Sequence, residues 1–446
     1  MTSEIIAVGT ELLLGNIVNT NAAYLAANLA ELGFDMYYQS VVGDNFGRAV
    51  ELIKTATKRS DIVIMTGGLG PTPDDLSKEA AAKALGLELY YDQQSLKQIE
   101  NYFLSTGRKM SDQNRKQALF PKERCVIFPN DNGTAPGCAM TAENGSVVIL
   151  MPGVPFEMKV MFETYVKPYL AAKSDRAIVS RNITVAGIGE SLLASMIPEY
   201  INGSDPTVSP YCYPGKVVLR VTSEKATAAE AATKCDETAA KLISIFGKNV
   251  CGVDDGSLEE ILVRLLTEKK LKLATAESCT AGKISAAITS VPGASLVFDF
   301  GASTYSNEMK HRLLSVSTET LDRFGAVSAE TAIEMAKGIL KYANADLGLA
   351  VTGVAGPASS ENKPVGLVYI ALCDKDHVWV EKLMVGKAGH DREKVRNTTV
   401  THALDLTRRY LLYHPDVMPG FTDGAVPDII IPEQAALKEI NKQLLQ

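Results

Sequence analysis

Two groups of residues in this 446-residue chain have types and spacings that could do chemistry. The first is a set of four stretches punctuated by glycine or proline: VGTELLLGNIVNTN from Val8, TGGLGPTPDD from Thr66, PNDNGTAPG from Pro129 and MPGVPFEM from Met151. Glycine lets backbone amides come close to an anionic or polar ligand, and a helix N-terminus favours negative charge. Asp74 and Asp75 fall where the second stretch runs into a helix. There they either cap that helix or hold a hard cation that a diphosphate would share. One such stretch reads equally well as a tight turn with caps; four in one segment ask for more than turns.

The second group lies in the last third. KLATAESCTAGK leads from an apolar strand into SCTAGKISAAITSV, which has helical spacing and places Ser278 at the junction. A hydroxyl there would lie beside unpaired first-turn N–H groups, a setting suited to an oxyanion; Ser278 as a plain N-cap is the alternative. A serine nucleophile needs a base. His311, His377, His390, His402 and His414 stand in no motif that couples them to Ser278. TYSNEMKHRLLSV offers a lysine instead: with Asn307 as cap, Lys310 falls in a first helical turn, where burial and the positive helix end depress its pKa. Tyr305 could relay the proton or orient the amine, while a solvated lysine is the competing reading. Cys279 is either a rival nucleophile or a small buried residue. VTGVAGP (Val351–Pro357) and KPVG (Lys363–Gly366) leave room for backbone approach. Arg392 and Arg396, one helical turn apart, form a phosphate clamp or a solvated helix face.

The elements that must position these residues follow from periodicity. In residues 1–170, EIIAVGT, DMYYQSVVG and DIVIMTGG read as strands, and AAYLAANLAEL (after Asn19 and Thr20) and FGRAVELIKTATKRS as helices. That alternation predicts a mostly parallel sheet with helices on both faces, and ligands at the carboxyl ends of its strands. Residues 171–252 read β-α-β-β-α-β. Ser257 and Glu260 form a capping box for SLEEILVRLL, which opens a third segment of strand–helix alternation over 255–413. Beyond it, residues 414–446 carry four prolines and a helix-like AALKEINKQLL, and read as an appended, partly extended arm.

Composition limits the chemistry. All five histidines lie in the last third, so the first 310 residues offer neither a Ser–His–Asp triad nor a His-rich zinc site. A formal charge of −7 with no basic run argues against a broad nucleic-acid binder. The seven cysteines are odd in number, widely spaced and without a CxxC pair, which points to a reducing cytoplasm rather than a disulfide framework. No run of about 18 apolar residues suggests a membrane span. The acidic, strand-like start does not read as a secretory signal.

The four N-terminal stretches, in type, order and spacing, resemble the molybdopterin-binding-like domain of CinA family proteins. AESCTAG, GASTYSNEMKHRLL, GAVS, VTGVAGP, KPVG and the arginine-bearing helix resemble the PncC-type nicotinamide mononucleotide amidohydrolase domain at the C-terminus of the same family. The resemblance implies an α/β multi-domain fold. Its parts are a three-layer molybdopterin-binding-like domain (1–170), a small KH-like α+β domain (171–252), and a C-terminal α/β PncC-type domain (255–413) with an extension (414–446). RNA-binding KH modules need a GXXG loop, which Gly187-Ile188-Gly189 does not form. A spacer or dimerisation element is therefore expected there, with no nucleic-acid or membrane partner.

Carried over by position, Ser278, Tyr305 and Lys310 would be catalytic. Cys279, Thr280, Gly282, Thr352, Gly353, Gly356, Arg392 and Arg396 would bind substrate. Gly9, Thr10, Glu11, Gly67, Gly68, Gly70, Asn130, Gly133, Thr134, Gly153, Pro155 and Glu157 would line a nucleotide pocket, with Asp74 and Asp75 at a metal. Ala281 departs from the pattern, since many members carry glycine there. The implied reactions are deamidation of nicotinamide mononucleotide without a cofactor, and cleavage of ADP-ribose with a divalent ion (Mg, Mn or Co, with K as a candidate additional ion), in a cytoplasmic homodimer. The rivals are a molybdopterin carrier or competence-linked interaction protein with inactive sites, and an enzyme in which only one end works.

Overall fold

The computed structural model describes residues 1–173, 177–225, 227–385, 391–414 and 429–432. They fall into two compact units, Met1–Val179 with Glu224–Ala231, and Ser180–Ser223 with Ala232–Gln446.

In the first unit, apolar strands and amphipathic helices alternate as their periodicities require. β1 (Thr2–Val8), β2 (Asp35–Val42) and β3 (Ile62–Thr66) are joined by the helices Thr20–Glu31 and Phe46–Arg59. Asn19 caps the first helix, its side chain accepting from the Ala22 N–H. A short pair, β4 (Leu89–Tyr91) and β5 (Leu119–Pro121), precedes β6 (Cys125–Phe128), β7 (Gly137–Thr141) and β8 (Val147–Met151). The main sheet has the order β2-β1-β3-β8-β7-β6. Only the β2-β1-β3-β8 part is parallel; β7 runs antiparallel to β8, and β6 to β7. The departure from an all-parallel pattern has a plain cause. The links β6–β7 and β7–β8 are too short for the crossover of a dozen or more residues that parallel neighbours require. Apolar cores fill both faces, one around Ile53, Met65 and Phe120, the other around Leu25, Ile64 and Phe162, giving three layers.

In the second unit, β9 (Ala177–Ala186), β10 (Thr207–Tyr213), β11 (Lys216–Lys225) and β12 (Val250–Val253) form a sheet of order β10-β11-β9-β12. Helices Glu190–Met196 and Ala228–Phe246 complete the β-α-β-β-α-β pattern. A larger sheet of order β14-β13-β15-β16-β17-β18 follows. Its strands are β13 (Leu273–Glu277), β14 (Phe300–Ser303), β15 (Leu347–Gly353), β16 (Leu367–Cys373), β17 (His377–Met384) and β18 (Ile429–Pro432). β13 is parallel to both β14 and β15, whereas β15 to β18 run antiparallel. The helix Leu258–Lys269 opens on the expected capping box of Ser257 and Glu260.

The two parts of this unit are joined through charge. In the helix Arg392–Tyr413, Arg408 is fully buried and donates to the carbonyls of Lys248 (2.7 Å) and Val250 (3.0 Å) while pairing with Asp405. Of the arm expected over 414–446, His414 and the strand β18 are described; the helix-like AALKEINKQLL lies outside the described residues, as does His390.

Candidate active site

Because β13, β14 and β15 are parallel, their carboxyl ends meet at one edge. Ser278 continues β13 for one residue, its N–H bonded to the Val351 carbonyl at 3.0 Å. The chain then leaves helical geometry: Ala281 (φ +50°) and Gly282 (φ +92°) are left-handed, and the helix begins only at Lys283. Ser278 is therefore neither an N-cap nor beside free first-turn amides, contrary to the expectation from the helical spacing of SCTAGKISAAITSV. The cap comes from the preceding strand. Glu277, fully buried, accepts the N–H groups of Gly282 (2.9 Å), Ile284 (3.0 Å) and Ser285 (2.9 Å) and the Ser285 hydroxyl (2.7 Å).

Lys310 comes from the helix Asn307–Leu314. The cap is Ser306, whose hydroxyl accepts from Met309 N–H, rather than Asn307, so Lys310 lies at the fourth helical position. Its side chain is buried, and Nζ has three oxygen neighbours: Thr304 O at 3.0 Å, Tyr305 O at 3.1 Å and Ser278 Oγ at 3.2 Å. A neutral amine has two N–H donors and one lone pair. Two donors match the two carbonyls, which leaves the lone pair for the Ser278 hydroxyl. Burial pushes the Lys310 amine below its ordinary value, against a smaller opposing pull from Glu361 and the Cys279 sulfur.

Cys279 is 4% exposed, and burial pushes its thiol up to about 12. Burial thus works against the thiolate that a cysteine nucleophile requires, whereas Ser278 Oγ has the Lys310 amine at 3.2 Å. Tyr305 orients the amine through its carbonyl. Its phenol is exposed and accepts from Arg392 Nη2 at 3.2 Å, so the hydroxyl does not occupy the relay position between Ser278 and Lys310.

The other carried-over residues have structural partners of their own. Arg392 Nη1 donates to Gly356 O (2.7 Å), and Arg396 Nη2 to Thr280 O (2.9 Å), so both guanidinium groups brace loops rather than project as a free clamp. Thr352 gives its hydroxyl hydrogen to Ala326 O (2.6 Å). A Cβ on Gly353 would come within 2.7 Å of Val368 and 2.9 Å of Leu367 O, so glycine there serves strand packing. Thr280 Oγ1, Thr304 Oγ1 and Arg396 Nε are buried with no hydrogen-bond partner. Such orphaned groups ask for a polar ligand or water. Thr304 and Glu277 are absent from the sequence-derived set. A glutamate closing the apolar strand LATAE was the available signal for the latter.

In the first unit, a cavity of about 490 Å³ opens at the carboxyl ends of β1, β3 and β8. Gly9, Glu11, Gly67, Gly68, Gly70, Asp74, Asp75, Thr134, Gly153, Pro155 and Glu157 line it. Close packing explains Gly67: at φ +108°, a Cβ would sit 2.3 Å from Val8 O. Thr10, Asn130 and Gly133 do not line it but bear on residues that do. Thr10 holds Asp44 through its N–H (3.0 Å) and hydroxyl (2.8 Å), and Asn130 donates to Glu157 Oε2 (2.7 Å). Gly133 leaves room for the same Glu157 carboxylate. Asn21, Asp44 and Gln117 also line the cavity and were not singled out from sequence. Asn21 is buried, donates to Thr66 Oγ1 and Gly153 O, and keeps Oδ1 without a partner.

Asp75 does not cap the following helix, which starts at Ser77. It closes a turn instead, accepting from Thr72 N–H (2.9 Å) and hydroxyl (2.5 Å). Among the described residues, no three carboxylates of this cavity bring oxygens within 4.8 Å of one another. The set does not make a closed all-protein cage. It fits a hard cation held by one or two carboxylates, with phosphate oxygens and water completing the shell.

Three family models match successive parts of the chain. Residues 4–172 match the family described as "Probable molybdopterin binding domain", 180–252 the damage-inducible protein CinA KH domain, and 255–411 the CinA C-terminal domain. Proteins named competence-damage inducible are similar over nearly the whole chain. That of Thermoanaerobacter sp. strain X514 is 46% identical over 413 residues, covering 92% of this chain and 99% of the relative. That of Clostridium acetobutylicum strain ATCC 824 is 48% identical over 416 residues, covering 92% of this chain and 100% of the relative. Among solved structures, CinA of Thermoplasma acidophilum, titled as of unknown function, is 36% identical and covers 37% of this chain and 96% of its own (TM-score 0.35). Among the described residues, no helix is long and apolar enough to cross a membrane. On these grounds the chain belongs to the CinA, or competence-damage inducible, family.

Proposed function

We propose that the C-terminal domain is an amidohydrolase that converts nicotinamide mononucleotide to nicotinate mononucleotide and ammonia. The observation that carries this reading is the buried Lys310 amine, held by two carbonyls and 3.2 Å from Ser278 Oγ. Lys310 accepts the Ser278 proton as Oγ attacks the carboxamide carbon. It returns that proton to the amide nitrogen, so ammonia leaves and an ester remains on Ser278. Water, deprotonated by Lys310, then attacks the ester carbonyl; the C–Oγ bond breaks and the proton returns to Ser278. Glu277 occupies the amides of Gly282, Ile284 and Ser285, so these three N–H groups are not available to hold the oxyanion. Thr280 Oγ1, Thr304 Oγ1 and Arg396 Nε are the groups whose satisfaction favours a polar substrate.

A second reading for the first unit rests on the 490 Å³ cavity lined by glycine turns and carboxylates. It takes ADP-ribose and yields AMP and ribose 5-phosphate. Asp74 or Asp75 would hold a divalent cation, which when bound supplies charge neutralisation at the diphosphate and a more acidic water. Gly67 and Gly68 admit the phosphates, and Asn21 Oδ1 accepts from a ligand hydroxyl or amine. Both substrates are parts of NAD, which supports a role in pyridine-nucleotide salvage.

Product analysis of the full chain tests both readings. Nicotinamide mononucleotide should give nicotinate mononucleotide and ammonia with or without chelator, and ADP-ribose should give AMP only without it. Absence of ammonia from the first substrate would overturn the amidohydrolase reading. AMP release that survives complete chelation would overturn the second.

A further inference from the structure

A cluster of polar rings stands at the far end of the last sheet from Ser278. Asp374 lies in the turn between β16 and β17, His377 opens β17, and His414 caps the end of the helix Arg392–Tyr413. One donor atom from each of Asp374, His377 and His414 can be chosen so that all three lie within 4.8 Å of one another. The imidazoles of His377 and His414 have ring centroids 5.5 Å apart.

The carboxylate is already fixed in place. Asp374 Oδ1 accepts the N–H groups of Asp376 (2.8 Å) and His377 (2.6 Å), and Oδ2 accepts the Tyr410 hydroxyl (3.1 Å). Outer hydrogen bonds of this kind orient carboxylate ligands in metal sites. Two observations independent of the residue types indicate an unfilled role. His377 Nδ1 is a buried nitrogen with no hydrogen-bond partner, 3.5 Å from Asp374 Oδ1. The indole N–H of Trp379, a residue 2% exposed, is likewise unpartnered. Its ring packs on both imidazoles and on Tyr410, with centroids 5.0–5.7 Å away.

We infer that Asp374, His377 and His414 form a site for a borderline divalent transition metal of the zinc class. Two imidazoles and one carboxylate suit that class better than magnesium or calcium, which take oxygen ligands. Three protein ligands leave a fourth position for water or an anion, which the Trp379 N–H would be free to bind. The ion ties the end of the long helix to the β16–β17 turn. No catalytic step is assigned to it.

Trp379 is the single tryptophan of the chain, so its fluorescence reports on this site. Full-length protein stripped of metal is titrated with Co²⁺, then with Zn²⁺ in competition, following tryptophan emission and Co²⁺ visible absorption. Saturable quenching at one ion per chain, with the absorption of a tetrahedral cobalt complex, is expected. His377→Ala and the milder His414→Gln should each weaken the apparent Kd at least about tenfold. Asp74→Asn with Asp75→Asn should leave the quenching curve unchanged, which separates this site from the first-unit cavity. Absence of saturable quenching in the native chain, or quenching that persists unchanged in both histidine variants, overturns the inference.

Discussion

The two candidate sites solve the placement of reactive groups in opposite ways. In the second unit, the proposed chemistry rests on one contact between two buried side chains, Ser278 and Lys310, and the neighbouring Arg396 is tied to a backbone carbonyl. In the first unit, the cavity is open, Asp74 is exposed, and the carboxylates lie too far apart to make a cage by themselves. A desolvated site can hold an amine neutral with no added ion, because burial alone penalises its charged form. A solvated carboxylate site needs its ligand and cation to complete the geometry. Changes of single atoms should therefore be severe at the first kind of site and more graded at the second.

The largest effect should come from Ser278→Ala, which removes the attacking oxygen. Ammonia release should fall by at least about 1,000-fold, while AMP release from ADP-ribose stays at its native rate. Cys279→Ser, measured beside it, should retain most of the activity, since Ser278 makes the contact with Lys310 and burial raises the Cys279 thiol above its ordinary pKa. The reverse outcome would make the sulfur the nucleophile.

Glu277→Gln comes next. An amide offers one accepting oxygen where the carboxylate offers two, so at least one of the four hydrogen bonds that set the Ser278–Lys283 loop is lost. A loss of about 10- to 100-fold in kcat, with little change in KM, is expected, together with about 1–3 kcal/mol of stability. An unchanged kcat in a folded variant would show that the cap does not position the serine.

The smallest effect concerns Ala281. It sits at φ +50°, where a Cβ is strained and glycine is not. Ala281→Gly should stabilise the protein by about 1 kcal/mol, seen as a Tm rise of a few degrees. A fall in Tm would mean that the lost methyl packing outweighs the relief of strain.

The sequence carried most of the element order, because strand and helix periodicities differ and the cores on both faces of the first sheet follow them. It also carried the pairing of Ser278 with Lys310, through the resemblance and through the lack of a histidine coupled to the serine. It did not carry the direction of β6 and β7, which depends on link length. Nor did it carry the start of the helix after Ser278. There a glutamate on the preceding strand supplies the cap, and a residue five positions before Gly282 cannot be identified as its cap by helical spacing. The phenol of Tyr305 was misplaced for a related reason: its partner, Arg392, is 87 residues away in sequence. Asn21 was hidden in plain sight as a polar residue on the buried side of an amphipathic helix.

The central claim is that Lys310 acts as a neutral base toward Ser278, and the pH dependence of ammonia release tests it most directly. Activity should rise with pH as Lys310 loses its proton, with an apparent pKa below the 10.5 of a free lysine, because burial lowers it. Lys310→Arg keeps a cation but removes the titratable amine, and should be inactive across the whole range. A Lys310→Arg variant that retains activity with the same acid limb would contradict the account.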